Sequence, residues 1–327
     1  MSQLYDVIII GGGPAAVAAG VYVARKQLSS LLITESFGGQ SIVSDDVQNW
    51  IGDQHISGIE LAQRFEKHVR AYPEVLEIHD GERVTTVKAV ACTADRICDF
   101  EVTTERATYQ GKTVVVAAGA RRRKLGIPGE EHYDGKGVVY CSTCDAPLFK
   151  GKTVVVVGAG NAGLEAVQDL FPYAAKIYLL VLGGEVKGDA VTFAEVKDNP
   201  KLNVIYHAKS KEVMGETLVT RLIYTDTKTG EDKRLDVGGV FVEIGSIPNS
   251  EIVQDLVDLD RYKQVIINSK TAATSHPGVF AAGDITDDPF KQNNISAGDG
   301  VKAALSAYSY ILKHRKTSPA EEPGLSG

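Results

Sequence analysis

A strand–helix–strand pattern opens the chain. Apolar residues fill the run from Tyr5 to Ile10, which stops at three consecutive glycines. Small apolar residues at helical spacing follow from Pro14 to Lys26, and a second apolar run covers Leu31 to Thr34. Apolar strands that alternate with helices predict a parallel sheet with helices packed on its faces.

The same pattern returns in the middle of the chain. A strand is predicted over Thr153 to Val157, a helix over Asn161 to Phe171 and a strand over Ile177 to Leu182. A glycine-rich turn joins strand to helix in both copies. The sequence therefore predicts an α/β fold with two Rossmann-like dinucleotide-binding domains.

The remaining apolar patterns surround the two copies. A helix is predicted over Gly58 to Ala71, and another from Ala297 to Lys313. Further strands are predicted at Val84–Ala91, Phe100–Thr103, Thr113–Ala117, Asn203–Tyr206, Leu222–Tyr224, Gly238–Glu243 and Val279–Ala282. The tail from Lys316 to Gly327 is rich in Pro, Glu, Ser and Gly, a composition typical of disorder.

Composition narrows the function classes. The 327 residues are 43% hydrophobic and 24% charged, as in ordinary globular proteins, and suggest about two domains. A formal net charge of −7 disfavours nucleic-acid binding. Residues Val7 to Ala24 carry no charge, but the glycines and Pro14 inside this stretch argue against a membrane span. No targeting segment is evident, so a cytoplasmic protein is expected.

The first glycine turn has the chemistry of a nucleotide site. Gly11 and Gly13 permit a tight turn and close approach of a pyrophosphate, and Ala16 lets helix and strand pack closely. Glu35 ends the next strand, where a carboxylate accepts hydrogen bonds from a ribose diol. The alternative is a sheet turn without a ligand.

The second glycine turn lacks one part of that pattern. Gly158, Gly160 and Gly163 repeat the glycine spacing. The ribose position falls near Val181, which is apolar, and the next acid downstream is Glu185. With no Arg nearby to bind a 2′-phosphate, the site should disfavour NADPH. A scaffold whose nucleotide site has decayed is the alternative.

Two cysteines separated by two residues precede the second copy. Cys141 and Cys144 can cycle between dithiol and disulfide, and Asp145 is a candidate proton donor and acceptor. A zinc site would need two more ligands, so no metal is predicted; an idle thiol pair is the other alternative. Cys92 and Cys98 are expected to be buried structural thiols.

Together these features resemble the low-molecular-weight thioredoxin reductase family over Tyr5 to Lys313. Further matching motifs are Gly38–Gln40 with Asn49, Ala117–Ala120, Gly245–Asn249, Val279–Asp284 and Lys291–Gln292. The resemblance implies an FAD domain over 1–119 and 246–315, split by an inserted NAD(P)H-type domain over 120–245 that carries the cysteines, and a disordered tail over 316–327.

The resemblance also implies ligand contacts. FAD would contact Gly11, Gly13, Pro14, Ala15, Ala16, Glu35, Gly39, Gln40, Asn49, Ala118, Gly119, Gly283, Asp284, Lys291, Gln292 and Asn293. A nicotinamide nucleotide would contact Gly158, Gly160, Asn161, Ala162 and Gly163.

In the family's chemistry, Cys144 is the flavin-proximal sulfur, which forms the charge-transfer thiolate. Cys141 is the interchange thiol that attacks the partner disulfide, and Asp145 shuttles the proton. Rotation of one domain on the other and a homodimer are implied as well.

Within the family, the sequence is most similar to the reductase portion of the alkyl hydroperoxide reductase flavoprotein. Three stretches carry that likeness: Asp145–Lys150, Phe290–Gln292 and Gly300–Leu305. That relative has thioredoxin-like domains before its FAD strand. This sequence begins at the FAD strand, so we expect a separate thioredoxin-like, glutaredoxin-like or peroxiredoxin-system acceptor.

The donor is expected to be NADH rather than NADPH. A ferredoxin or another donor with a vestigial nucleotide site is the alternative, because some members of the family have lost pyridine-nucleotide use. A non-catalytic dimerising or sensing flavoprotein is a further rival, which the intact cysteine pair disfavours.

Overall fold

The computed structural model describes residues 3–44, 46–93 and 97–315. The chain divides into two compact units. The first unit comprises residues 1–42, 50–121 and 247–327, and the second comprises residues 43–49 and 122–246. The segment 316–327, predicted as a disordered tail, lies outside the described residues.

The first unit contains two sheets. Its strands are β1 Leu4–Tyr5, β2 Val7–Ile10, β3 Ser30–Thr34, β4 Leu76–Asp80, β5 Val84–Val90, β6 Asp99–Thr104, β7 Thr108–Gly111 and β8 Val114–Val116, and β19 Val279–Ala281 joins them after the return of the chain. The parallel sheet has the order β19-β8-β2-β3-β4, and the smaller sheet has the order β1-β7-β6-β5. The chain leaves this unit at β9 Ala120–Arg122.

The second unit repeats the parallel sheet. Its strands are β10 Val138–Val139, β11 Thr153–Val157, β12 Lys176–Leu180, β13 Leu202–Ile205, β14 Ala208–Gly215, β15 Val219–Asp226, β16 Asp232–Asp236 and β17 Gly239–Val242, followed by β18 Ser246–Pro248 at the return crossing. The parallel sheet has the order β10-β17-β11-β12-β13, beside the antiparallel sheet β14-β15-β16. Both parallel sheets have the strand order of a Rossmann-like fold, so the predicted fold class is confirmed.

Six α-helices pack around these sheets in the described residues. They are α1 Pro14–Arg25, α2 Gly58–Val69, α3 Ser142–Asp145, α4 Asn161–Leu170, α5 Ala190–Val196 and α6 Asn293–Arg315. Helix α6 begins four residues before its predicted start at Ala297. Helix α1 consists mainly of small apolar residues, and a Cβ at Gly300 of α6 would lie 2.0 Å from the carbonyl oxygen of Ala15. This close approach requires glycine.

Several elements were not predicted from the sequence, among them β4, β7, β14, β16 and α5. Strand β16 shows why, because Leu235 is its only buried residue and the others are charged and exposed. Edge strands of this kind lack the apolar run or alternation by which strands are recognised.

Candidate active site: two cavities and a disulfide

A cavity of about 460 Å³ lies beside the first glycine turn, and we call it the Gly11 cavity. Gly11 has φ +126°, and a Cβ there would lie 2.2 Å from the carbonyl oxygen of Ala117. Gly13 caps α1 and Pro14 is its first residue, so the positive end of the helix dipole faces the cavity. This is the geometry that binds a pyrophosphate.

Most of the predicted FAD residues line the Gly11 cavity. They are Gly11, Gly13, Pro14, Ala15, Glu35, Gly39, Gln40, Ala118, Gly119, Asp284 and Asn293. Hydrogen bonds hold several of them: the Ser41 hydroxyl donates to Asn293 Oδ1 at 2.9 Å, and the Ser296 hydroxyl donates to Asp284 Oδ1 at 3.2 Å. The residues present therefore fit a dinucleotide such as FAD.

The other predicted FAD residues do not line this cavity. Ala16 is fully buried in α1, and Gly283 lies in a short 3₁₀ turn. Lys291 Nζ donates to the carbonyl oxygen of Thr286 at 2.6 Å, and burial lowers its pKa. Gln292 accepts the Ser296 amide at its carbonyl oxygen. Their FAD contacts stay predictions.

Asn49 belongs to the second unit, where its side-chain Nδ2 lies 3.9 Å from Cys144 Sγ. The sequence assigned Asn49 to the flavin only through a motif match. Its position in the structure makes it a neighbour of the disulfide.

Sequence reasoning also missed residues of the Gly11 cavity. Glu82, Arg83 and Asn249 line it, and Asn249 Nδ2 donates to the carbonyl oxygen of Ala118 at 2.7 Å. Asn249 stands in the Gly245–Asn249 motif, which was recognised only as a domain crossing. Glu82 and Arg83 had no sequence signal, because they lie in a turn between two strands.

A second cavity, of about 750 Å³, lies beside Gly158, and we call it the Gly158 cavity. Gly158, Gly160, Asn161 and Ala162 line it as predicted. Gly163 does not, because it is buried where a Cβ would lie 1.9 Å from the carbonyl oxygen of Gly158. Gly163 thus serves the close packing of helix and turn.

The loop after β12 folds onto this glycine turn. The backbone amides of Lys187 and Gly188 both donate to the carbonyl oxygen of Ala159 at 2.9 Å. Asn161 Oδ1 accepts the Asp189 amide at 2.8 Å. The loop thereby brings Glu185 to the cavity lining, beside the buried, apolar Val181.

The cysteine pair forms a disulfide at the start of α3. Cys141 is the N-cap of the helix, and Cys144 lies in its only turn. The hydroxyls of Ser142 and Thr143 both donate to Asp169 Oδ2, at 2.8 and 3.1 Å. The two residues between the cysteines are therefore anchored to α4.

Two carboxyl groups near the disulfide hold protons at unusually high pH. Burial raises the pKa of Asp145 to about 6, against the opposing charge of Arg122. Burial also raises the pKa of Glu243, to about 8, and Arg122 again opposes it. Asp145 can therefore exchange a proton close to neutral pH.

Cys92 and Cys98 form a second disulfide, between the end of β5 and the start of β6. The prediction that both are buried free thiols is wrong, because they are bonded to each other and Cys92 is exposed. The hairpin pairing of β5 with β6 brings the two residues together, which the apolar pattern alone could not show.

In the part of the chain that the structure describes, no cluster of His, Cys, Asp and Glu could hold a metal ion. Within the same residues, no helix is both long and apolar enough to cross a membrane.

Comparison with known proteins identifies the family of this chain. The model of the family described as "Pyridine nucleotide-disulphide oxidoreductase" matches residues 5–307. The chain belongs to this family. Its fold, its two nucleotide-type cavities and its paired cysteines agree with a flavoprotein disulfide oxidoreductase that uses FAD and a pyridine nucleotide.

Relatives within the family share much of this sequence. A component of the alkyl hydroperoxide reductase of Pseudomonas putida is 38% identical over 97% of this chain and 60% of that protein. A protein named NADH dehydrogenase, of Bacillus subtilis, is 38% identical over 95% of this chain and 59% of that protein. The chain thus spans about three fifths of the length of the curated relatives it matches.

Solved structures show the same fold. A thioredoxin reductase from Streptococcus pyogenes superposes with a TM-score of 0.88 at 32% identity, over 96% of this chain and 100% of that one. The resemblance to thioredoxin reductases seen in the sequence motifs is therefore confirmed.

Proposed function

We propose that this chain passes electrons from NADH through FAD to the Cys141–Cys144 disulfide, and from there to the disulfide of a thioredoxin-like protein. The observation that carries the proposal is a disulfide flanked by an acid that titrates near neutral pH, in a chain with two dinucleotide-type cavities. An idle thiol pair would need neither the cavities nor the acid.

The residues around the disulfide have distinct roles in this proposal. When bound, FAD supplies two-electron transfer between a hydride donor and a disulfide. Opening the disulfide with two electrons and one proton leaves one thiolate and one thiol. Asp145 supplies that proton and later recovers it, with Cys144 as the flavin-facing sulfur and Cys141 as the sulfur that attacks the acceptor.

The lining of the Gly158 cavity supports NADH as the donor. Val181, which follows the end of β12, is apolar and buried, so the usual ribose position offers no charge to a 2′-phosphate. Lys124, Lys187 and Lys209 also line the cavity, so the preference rests on Glu185, the first acid after that position in the chain, whose carboxylate favours a ribose diol over a phosphate. The name of one relative, NADH dehydrogenase, gives the same nucleotide as its electron donor.

Anaerobic mixing of the yellow protein with NADH or NADPH tests the donor. We expect NADH to bleach the oxidised flavin band quickly and NADPH to do so slowly. Fast bleaching by NADPH alone would contradict the assignment of Glu185.

Trapping tests the acceptor and the order of the two sulfurs. In Cys144→Ser the remaining Cys141 should form a stable mixed disulfide with a thioredoxin-like protein that keeps only its attacking cysteine, activated as the mixed disulfide with thionitrobenzoate, which leaves as the thiolate; mass spectrometry detects the product. Cys141→Ser is the matched control and should trap far less. Equal trapping by both variants would reverse or remove the assigned roles. A glutaredoxin-like protein and an oxidised peroxiredoxin are to be compared in the same assay.

A second candidate is a reductase fed by ferredoxin or another donor. The observation that favours it is the buried Val181 at the ribose position, together with an Asn161 side chain already occupied by the Asp189 amide. Bleaching by dithionite but by neither nucleotide would select this candidate.

A homodimer and a cytoplasmic location stay predictions, and sedimentation tests the first of them.

A further inference from the structure

Glu243 connects the Gly158 cavity with the disulfide. It follows β17, whose neighbour β11 ends at the glycine turn, and it lines the cavity. Its amide donates to the carbonyl oxygen of Val157 at 2.8 Å. Its own carbonyl oxygen would lie 2.3 Å from a Cβ at Gly158. The backbone of Glu243 is thus fixed by both strands.

The side chain of Glu243 reaches the cysteine pair. Strand β10, which leads into the cysteine pair, runs parallel to β17 with Val139 opposite Phe241, and this pairing brings the Ser142 amide to the Glu243 carboxyl, where it lowers the pKa of the acid. The second oxygen, Oε1, is buried and has no hydrogen-bond partner among the residues that the structure describes. A buried carboxylate with one oxygen unpaired is costly, whereas a neutral carboxyl is much less so.

Charged groups of both signs surround Glu243. Asp145 and Asp169 repel its ionised form, and Arg122 is the cation that attracts it. The wall of the same cavity carries Glu185 and three lysines, at positions 124, 187 and 209. Burial is the largest influence and raises the pKa of Glu243 to about 8. At pH 7 the group is therefore mostly neutral.

We propose that Glu243 is a positioning residue of the disulfide centre, which holds the Ser142 amide as a neutral acid and whose ionisation at alkaline pH opposes reduction of the Cys141–Cys144 disulfide. Reduction creates a thiolate, and a second negative charge close by disfavours it. Conversely, the thiolate holds the proton on Glu243 to higher pH, so the two groups titrate as a coupled pair. The inference rests on the proposed function only in taking this disulfide to be the redox-active one.

The test is an equilibrium between the holoprotein and a dithiothreitol redox buffer, at pH 7 and at pH 9.5. Alkylation and mass spectrometry of the peptide that carries both cysteines give the fraction of disulfide. Wild type is compared with Glu243→Gln, which keeps the acceptor oxygen but cannot ionise. Glu231→Gln makes the same charge change at an exposed position of the second unit and is the control.

At pH 7 the reduction equilibria of wild type and Glu243→Gln should agree within about threefold. At pH 9.5 the Gln variant should be the more easily reduced, by about tenfold, which corresponds to a coupling of about one pKa unit. Glu231→Gln should match wild type at both pH values. If the ratio of the two reduction equilibrium constants, Glu243→Gln to wild type, does not change with pH, the proposal is overturned.

A second variant and a spectroscopic measurement test the proposal independently of the Gln variant. Glu243→Ala removes the same titration and should show the same pH dependence if the Gln variant folds poorly. Infrared spectra of oxidised wild type should show a neutral carboxyl that ionises around pH 8, and a group already ionised at pH 7 would contradict the proposal. None of these measurements needs NADH or an acceptor, so a failure of the proposed donor or partner leaves this result unaffected.

Discussion

Each cavity lies beside its own glycine turn and contains a buried glutamate, but the pKa of that glutamate is lowered at one cavity and raised at the other. At the Gly11 cavity, burial pushes the pKa of Glu82 upward, but hydrogen bonds from the hydroxyls of Thr104 and Tyr109, together with the charges of His79 and Arg106, outweigh it and the pKa falls. At the Gly158 cavity, Glu243 has one backbone donor, and its pKa rises. The same fold unit thus carries a satisfied, ionised acid in one copy and an unsatisfied, neutral acid in the other.

The two cavities therefore differ in the hydrogen bonding of their buried acids. At the Gly11 cavity the buried acid is paired, as expected of a site that holds one ligand permanently. At the Gly158 cavity the acid has one unpaired oxygen and lies near a disulfide whose reduction would create a thiolate. Substitutions at five positions test this contrast between the two cavities.

The largest effect is expected from Gly11→Ala. The new Cβ would lie 2.2 Å from the Ala117 carbonyl oxygen, at a φ that disfavours side chains. Strain and overpacking of this kind cost about 3 kcal/mol, or about 100-fold in affinity for the flavin. The ratio of flavin to protein absorbance after purification measures it. A fully yellow variant would show that the Gly11 cavity is not the flavin site.

Gly158→Ala should act on the other cavity alone. Its Cβ would lie 2.3 Å from the Glu243 carbonyl oxygen, again at positive φ. We expect the variant to retain its flavin, while the KM for NADH rises at least about tenfold. Gly298→Ala is the control, since its Cβ meets no atom within 4 Å and it lines neither cavity. Loss of flavin in Gly158→Ala would contradict the separation of the two sites.

A smaller effect is expected from Glu185→Gln. Losing a charged acceptor for a ribose hydroxyl costs about 1.5 kcal/mol, so the KM for NADH should rise about tenfold or slightly less. The KM for NADPH should change little, which narrows the preference between the nucleotides. Glu195→Gln, on exposed α5, is the control. An unchanged preference would remove Glu185 as the discriminating residue.

A further effect concerns stability. The pKa of Glu243 in the folded state, about 8, exceeds the ordinary value of 4.5, so the folded protein retains a proton that the unfolded chain releases. The free energy of unfolding of wild type should therefore fall relative to Glu243→Gln as pH rises from about 4.5 to 8. Melting temperatures at pH 5 and 8.5 should show the difference growing by about 6 °C.

Glu82→Gln should behave in the opposite direction. The pKa of Glu82 is lowered in the folded state, so its stabilising contribution is present above the unfolded pKa and is lost as the pH falls through the folded one. If both variants followed the same pH dependence, the contrast between the two glutamates would be wrong.

Local sequence patterns predicted the parts of the site that are built from consecutive residues. The Gly11 and Gly158 turns and the Cys141–Cys144 pair each lie within a few positions, and their chemistry follows from spacing. The neighbours of the disulfide could not be found in this way. Asn49 lies 95 residues from Cys144 along the chain, and Glu243 comes close to Ser142 because β17 pairs with β10, the strand that leads into the cysteine pair.

Burial explains the remaining differences. The motif comparison identified Asp145 as a proton carrier, but whether an acid is ionised depends on how many donors the folded chain places around it. Glu82 and Glu243 are indistinguishable as letters in the sequence. The hydroxyls of Thr104 and Tyr109, brought together by the pairing of β6 with β7, separate their behaviour.

The second disulfide changes how electrons must be counted. Each disulfide accepts two electrons on reduction, and Cys92–Cys98 adds its own pair to that of Cys141–Cys144. A reductant titration followed to completion will consume more equivalents than the flavin and one disulfide require. Stoichiometry taken from a Cys92→Ser/Cys98→Ser background, in which only the α3 disulfide remains, would give the capacity of the catalytic centre directly.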